Sequence, residues 1–153
     1  MAQDVDQGLD LSKMPPSGLD NTLGVRIVSA TVTEVVAELE VTPSHHQPMG
    51  IVHGGIYCTL AETVCSIGAS LAAMAYGRVI VGVDNHTSFL KAMRRGTLRA
   101  TARPLATGRS TQLWEASITD DAGTLVATGR VRLLCLDREQ KLAGQAAGKL
   151  AGG

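Results

Sequence analysis

The stretch His53-Gly54-Gly55-Ile56-Tyr57-Cys58-Thr59-Leu60-Ala61-Glu62 decides how this chain is read. A His-Gly-Gly turn passes directly into an Ala-rich helical pattern, and one acid sits among otherwise apolar and small residues. Adjacent glycines admit close approach to the backbone, and the first N–H groups of a helix have no partner inside it. The helix dipole adds partial positive charge at the same end. Glu62, two turns further on, is then a carboxylate on a helix patterned for burial. An oxygen that gains negative charge is stabilised at such a helix start. The pairing of Gly54 and Gly55 with Glu62 therefore points to acyl-transfer chemistry.

The helical pattern runs from Gly54 to about Ala75, with Ile56, Leu60, Val64, Ile67 and Leu71 at spacings of three and four. Its other positions are mostly Ala, Gly, Ser and Cys, so other structure can pack around it on nearly every side. Gly77 ends it. Upstream, a short strand is expected around Val25–Ala30. A second follows, in which Val35, Ala37, Leu39 and Val41 alternate with Glu34, Val36, Glu38 and Glu40. Residues 42–50, with two prolines, form a loop. Downstream, alternating patterns at 79–84, 97–103, 113–118 and 125–135 predict four strands. Gly96, Thr107-Gly108 and Asp120-Asp121-Ala122-Gly123 supply turns between them. Short connections make these last strands antiparallel. The order of two strands, one long helix and four strands predicts an α+β domain, in which a curled antiparallel sheet of about five or six strands wraps one central helix. Residues 1–23 read as a polar lead-in, 24–137 as the domain, and 138–153 as a flexible Gly- and Ala-rich tail.

Composition narrows the function classes. The 153 residues carry no net charge, and aromatics make up only 3% of them, so no general signal points to nucleic acid or membrane as a partner. No apolar run approaches membrane-spanning length, and the acidic start, Met1-Ala2-Gln3-Asp4-Val5-Asp6, reads as no signal peptide. Cys58, Cys65 and Cys135 lack metal or redox spacing and read as reduced, buried residues of a cytoplasmic protein. The charges are unevenly placed. Lys91, Arg94, Arg95, Arg99, Arg103 and Arg109 fall within nineteen positions that contain no acid, either a solvated basic face or a phosphate-binding patch.

The His-Gly-Gly turn, the acid nine residues after the His, the strand order and Asp120-Asp121-Ala122-Gly123-Thr124-Leu125-Val126-Ala127-Thr128-Gly129 together resemble the hotdog-fold acyl-CoA thioesterases. The likeness covers about residues 24–136. It is greatest to the PaaI-like group and to 4-hydroxybenzoyl-CoA thioesterases with a helical Glu as catalytic acid. The resemblance implies that Glu62 acts as nucleophile or as general base for water. Gly54 and Gly55 would supply backbone N–H groups to the thioester carbonyl, and Gln47 would orient that carbonyl or the water. It further implies that Lys91, Arg94, Arg95 and Arg138 meet the phosphates of coenzyme A, and that Ser110 and Thr111 contact substrate across a subunit boundary. A homodimer with sites between subunits, paired into a tetramer, is implied too, with no metal and no cofactor beyond the coenzyme A of the substrate. Ser88-Phe89-Leu90-Lys91-Ala92 departs from the Asn-Phe-Leu-(Arg/Lys)-Pro of many relatives.

Ser66, one turn after Glu62, is placed by helical spacing to hydrogen-bond the carboxylate, the acyl group or water. His53 is grouped with the substrate-binding residues, and its position makes it a stabiliser of the turn rather than a general base. His45-His46, in a Pro-bounded loop, read as solvated residues and not as a metal site. No Gly-x-Ser-x-Gly elbow and no GxxxxGK phosphate loop occurs. The rival readings are a hotdog hydratase, which needs a His proton shuttle, and a non-catalytic acyl-CoA-binding module.

Overall fold

The computed structural model describes residues 18–148. Residues 1–17 of the expected lead-in and 149–153 of the expected tail lie outside the described residues. Helix α1 (Gly18–Leu23) is followed by β1 (Arg26–Ala30) and β2 (Val35–Glu40), a single 3-10 turn at Pro43–His45, and the long helix α2 (Gly54–Met74). Four strands come next: β3 (Val79–Phe89), β4 (Thr97–Thr107), β5 (Thr111–Thr119) and β6 (Leu125–Leu136). Inside the segment expected to be a flexible tail, β7 (Lys141–Leu142) and β8 (Gln145–Ala146) pair as a small hairpin.

The main sheet has six antiparallel strands in the order β1-β2-β4-β5-β6-β3, and α2 packs on its inner face. The alternation seen in the sequence becomes burial. Leu98, Ala100 and Ala102 of β4, and Trp114, Ala116 and Ile118 of β5, are fully buried. The small residues of α2 set how closely the layers approach. Gly68 faces the Trp114 ring with no room for a Cβ, and Gly129 of β6 meets the Ala61 methyl in the same way. Trp114 keeps its indole N–H satisfied at Gln112 Oε1, 2.8 Å away, while Gln112 Nε2 donates to the Ala69 carbonyl at 3.1 Å.

One connection departs from the short-turn reading. The segment 90–96 joins β3 to β4, yet those strands are not neighbours, because β3 pairs with β6 and β4 with β2. The segment instead crosses the loop that leads into α2, where Val52 N donates to Met93 O at 2.8 Å and Val41 N to Gly96 O at 2.9 Å. A sheet curled around a helix needs a crossing at one end, and here it closes over the helix start. β1 and β3 are left as the edges, and a bulge between Gly82 and Asp84 bends β3.

Two further expectations are corrected. By length and composition α2 is apolar enough to cross a membrane, but half of that stretch is buried against the sheet, as in a core helix. His45 is not solvated: it is buried, Thr42 N–H donates to its Nδ1 at 3.0 Å, and its Nε2 therefore donates to Leu23 O at 3.0 Å. His46 Nε2 bonds Arg94 O at 2.7 Å, so the two rings tie the loop to α1 and to the crossing segment.

Candidate functional site

Glu62 sits at the middle of α2, half-buried, on the side that faces the edge strand β3. Asn85 of β3 donates from Nδ2 to Glu62 Oε2 at 3.0 Å and to the Cys58 carbonyl at 3.0 Å. Thr87 Oγ1 donates to Asn85 Oδ1 at 2.6 Å, which fixes the amide the right way round. The other carboxylate oxygen, Oε1, lies so close to Gly82 that a Cβ there would overlap it, and Ser66 Oγ reaches it only at 3.5 Å. One oxygen is thus held and the other is lightly engaged. Leu19 and Asp20 of α1, Cys58, Thr59, Thr63 and Asn85 complete a cavity of about 360 Å³ around the carboxylate. Thr63 Oγ1 donates to Asp20 Oδ1 at 2.7 Å and anchors α1 there. Cys58 is half-buried in this wall rather than buried, whereas burial, then Glu62 and Glu115, push the thiol of Cys65 up to about 12.

The start of α2 makes a second cavity, of about 320 Å³, lined by Gln47, Ile51, Val52, Gly54, Tyr57, and Phe89 with the residues after it. His53 caps the helix, its Nδ1 accepting the Gly55 N–H at 2.9 Å. That bond occupies Gly55 and supports the turn-stabilising reading of His53. The Gly54 N–H makes no hydrogen bond among the described residues, and the Phe89 ring lies so close over Gly54 that a side chain there would overlap it. Gln47 folds its Oε1 onto Met49 N at 2.7 Å and lines the cavity beside Gly54.

The two cavities share no residue. Gly54 and Glu62 are eight residues apart on one helix, about 12 Å along its axis. A single chain therefore does not bring Glu62 onto a carbonyl held at Gly54.

The basic cluster is largely partnered. Arg99 and Arg103 bond Glu38 and Glu34 across the sheet, where Arg26 joins Glu38 and Arg130 joins Glu115. Lys91 lines the helix-start cavity and meets Asp120 Oδ2 at 3.0 Å. Arg94 donates to the carbonyls of Met49 and Gly50 at 2.9 and 3.0 Å. Arg95 and Arg109 are exposed, with no ion pair among the described residues. Ser110 and Thr111 lie beside Gln112, which reaches Ala69, about 10 Å along α2 from Glu62. Arg138 is exposed in the turn that accepts Gly148 N–H.

Sequence reading missed Asn85, Thr87 and Gly82 as the residues that hold or make room for the carboxylate. Its available signal was the polar run Asp84-Asn85-His86-Thr87 in an otherwise apolar strand pattern.

Comparison with known proteins places the fold in a family. Residues 49–127 match the profile described as Thioesterase superfamily. The chain is 38% identical over 113 residues to the 1,4-dihydroxy-2-naphthoyl-CoA hydrolase of Listeria monocytogenes, covering 74% of this chain and 91% of that one. Among solved structures it resembles a Mycobacterium tuberculosis protein named provisionally as an esterase, with TM-score 0.76, 39% identity, and 77% and 95% of the two chains covered. A thioesterase of Haemophilus influenzae superposes with TM-score 0.73 at 30% identity, over 77% of this chain and 82% of the other.

Proposed function

Because the chain belongs to the thioesterase superfamily, has its hotdog fold and is a thioester hydrolase, we propose that it cleaves an acyl- or aroyl-CoA to the free acid and coenzyme A, with Glu62 as the catalytic carboxylate. The observation that carries this reading is the posture of Glu62. It is the acid on a helix of small and apolar residues, fixed at Oε2 by Asn85, and it lines a cavity. An ionised carboxylate so placed attacks the thioester carbon itself or takes the proton of the attacking water. The C–S bond then breaks, and the thiolate of coenzyme A leaves and takes up a proton; where Glu62 itself attacked, water then hydrolyses the mixed anhydride to the free acid and the Glu62 carboxylate.

The carbonyl is polarised by the free Gly54 amide, beside Gln47. Since Gly54 and Glu62 face different cavities, the site we propose is completed by a second copy, whose Glu62 meets the carbonyl held at the first copy's helix start. The long edge strand β3 and the exposed Met49, Val83, Phe89 and Leu90 near it give such a pairing hydrogen-bonding and apolar surface. Pairing of dimers into a tetramer, and placement in the cytoplasm, belong to the same reading. The PaaI-like, hydroxybenzoyl-type branch is supported by the hydroxylated aroyl-CoA in the name of the Listeria relative. Lys91, which lines the helix-start cavity, and Arg94 and Arg95 on the same segment would meet the phosphates of coenzyme A.

Thiol release from a panel of aliphatic and aromatic CoA esters tests the proposal. Glu62→Gln should lower turnover by about a thousandfold with the circular dichroism spectrum unchanged. Near-normal hydrolysis by that variant overturns the mechanism.

A further inference from the structure

Asp20 is a second carboxylate in the Glu62 cavity, and the hydrolytic chemistry leaves it unused. It comes from the short helix α1 and lines the space of about 360 Å³ that Glu62 also lines. Thr63 Oγ1 donates to Asp20 Oδ1 at 2.7 Å, which ties this carboxylate to α2 one residue along from Glu62. Among the described residues no Lys, Arg or His lines the cavity.

The wall has also committed its donors. Both hydrogens of Asn85 Nδ2 are engaged, one on Glu62 Oε2 and one on Cys58 O, each at 3.0 Å. Thr63 gives its O–H to Asp20, and Thr59 gives its own to the Gly55 carbonyl at 2.9 Å. What the side chains leave over is the weakly donating thiol of Cys58 and an excess of acceptor oxygens. An anion entering this space gives up water, finds neither a cation nor a strong side-chain donor, and meets two negative charges. A compact cavity of this volume is less than about 10 Å across, so a Debye length of ordinary salt does not separate either charge from the ligand.

On the proposed function, an ester received at one copy's helix start presents its carbonyl to Glu62 of a second copy, and the atoms on one side of that carbonyl reach the Glu62 cavity. Coenzyme A, with its phosphates, is unsuited to a doubly acidic space without donors, and Lys91, Arg94 and Arg95 belong to the segment at the other cavity. The acyl group is therefore the part that enters. We infer that Asp20 is a specificity-determining residue that shuts out acyl groups carrying a carboxylate of their own, so that a dicarboxylic acyl-CoA is a far poorer substrate than a neutral ester of the same shape. Selectivity of this kind comes from repulsion of the wrong ligand and not from an added contact to the right one. The inference rests on the thioesterase reading and on a site shared between two copies.

The test uses esters matched in shape and different in charge: 4-carboxybenzoyl-CoA against 4-carbamoylbenzoyl-CoA, and adipoyl-CoA against its terminal amide. Wild type should favour the amide by about a hundredfold in kcat/KM, and Asp20→Asn should cut that ratio roughly tenfold. Asparagine keeps an oxygen for the Thr63 hydroxyl and the shape of the wall, so the variant removes the charge alone. Raising the salt should shrink the wild-type ratio more than that of Asp20→Asn, while the phosphates, common to both esters, cancel. A ratio unmoved by Asp20→Asn overturns the inference, and so does a ratio indifferent to salt, which would mean rejection by shape. Dissociation constants of the same esters on Glu62→Gln, with and without Asp20→Asn, read the penalty without turnover and without the Glu62 charge. The amide should bind Glu62→Gln about tenfold more tightly and the double variant about equally, whereas equal affinities on Glu62→Gln overturn the inference. Failure of the thioesterase reading appears instead as no thiol released from any CoA ester by wild type.

Discussion

The two cavities flank one helix and differ in how their polar groups are held. Around Glu62 those groups are cross-linked: Thr87 holds Asn85, Asn85 holds the carboxylate, and Thr63 holds Asp20. At the helix start they are few and separate: Gln47 bonds Met49 N–H, Lys91 meets Asp120, and the Gly54 N–H has no partner among the described residues. A satisfied network keeps a reactive group in one position. An apolar wall with a few unmet donors is suited to accept a ligand. On the proposed function the contrast amounts to a division of labour, in which one region would aim the carboxylate and the other would receive the ester.

That division is most vulnerable at Gly82. Its backbone is not in the left-handed region, so alanine is tolerated by the chain, but the new methyl would overlap Glu62 Oε1. The carboxylate is the flexible partner and would swing away. Gly82→Ala should lower kcat about a hundredfold, with Tm within a few degrees of wild type, because small misplacements of a reacting group are severe. Unchanged kcat would mean that Oε1 does not need its present position.

A smaller effect is expected at Asn85. Asn85→Leu removes the bond to Oε2 and leaves the Cys58 carbonyl without its side-chain donor. The expected loss is about tenfold, borne by kcat with KM little changed, since hydrogen bonds to charged groups lie at that scale. If KM rises instead and kcat holds, Asn85 belongs to the receiving region and the division fails.

The smallest effect concerns Lys91 at the rim of the helix-start cavity. The Lys91 hydrogen bond, then the Thr124 backbone N–H, hold the carboxyl of Asp120 below the usual carboxylate range. A carboxyl with a lowered folded pKa binds fewer protons in the folded state. Its contribution is therefore present above the usual carboxylate range and is lost as pH falls through the folded value. Lys91→Met should flatten the acid limb of a stability curve followed by thermal melts from neutral pH to about pH 3. The pair is at the surface, so the change at neutral pH should be slight. An acid limb identical to that of wild type would remove Lys91 as the cause.

Much of this architecture is legible in the amino-acid sequence. Period-two alternation marks the strands at 97–103, 113–118 and 125–135, because one face of each is buried and the other is wet. The basic cluster is legible as a cluster and not as pairs. Glu38 lies 61 positions from Arg99, and Glu34 lies 69 from Arg103, so only strand pairing brings them together. Asn85 is hidden for a related reason. A polar residue on an edge strand looks solvent-facing until the helix beside it is known.

Local sequence suffices for the elements, for the helix start at His53-Gly54-Gly55 and for Glu62 as the one acid on that helix. These follow from periodicity and residue type, which the chain carries within a few turns. Tertiary packing alone sends β3 away from its sequence neighbour β4 to the far edge at β6, which sets Asn85 and Gly82 against Glu62. The same packing seals the Tyr57 hydroxyl without a partner among the described residues. Such placements depend on how the whole sheet closes around one helix, a sum of long-range burial that no local pattern encodes.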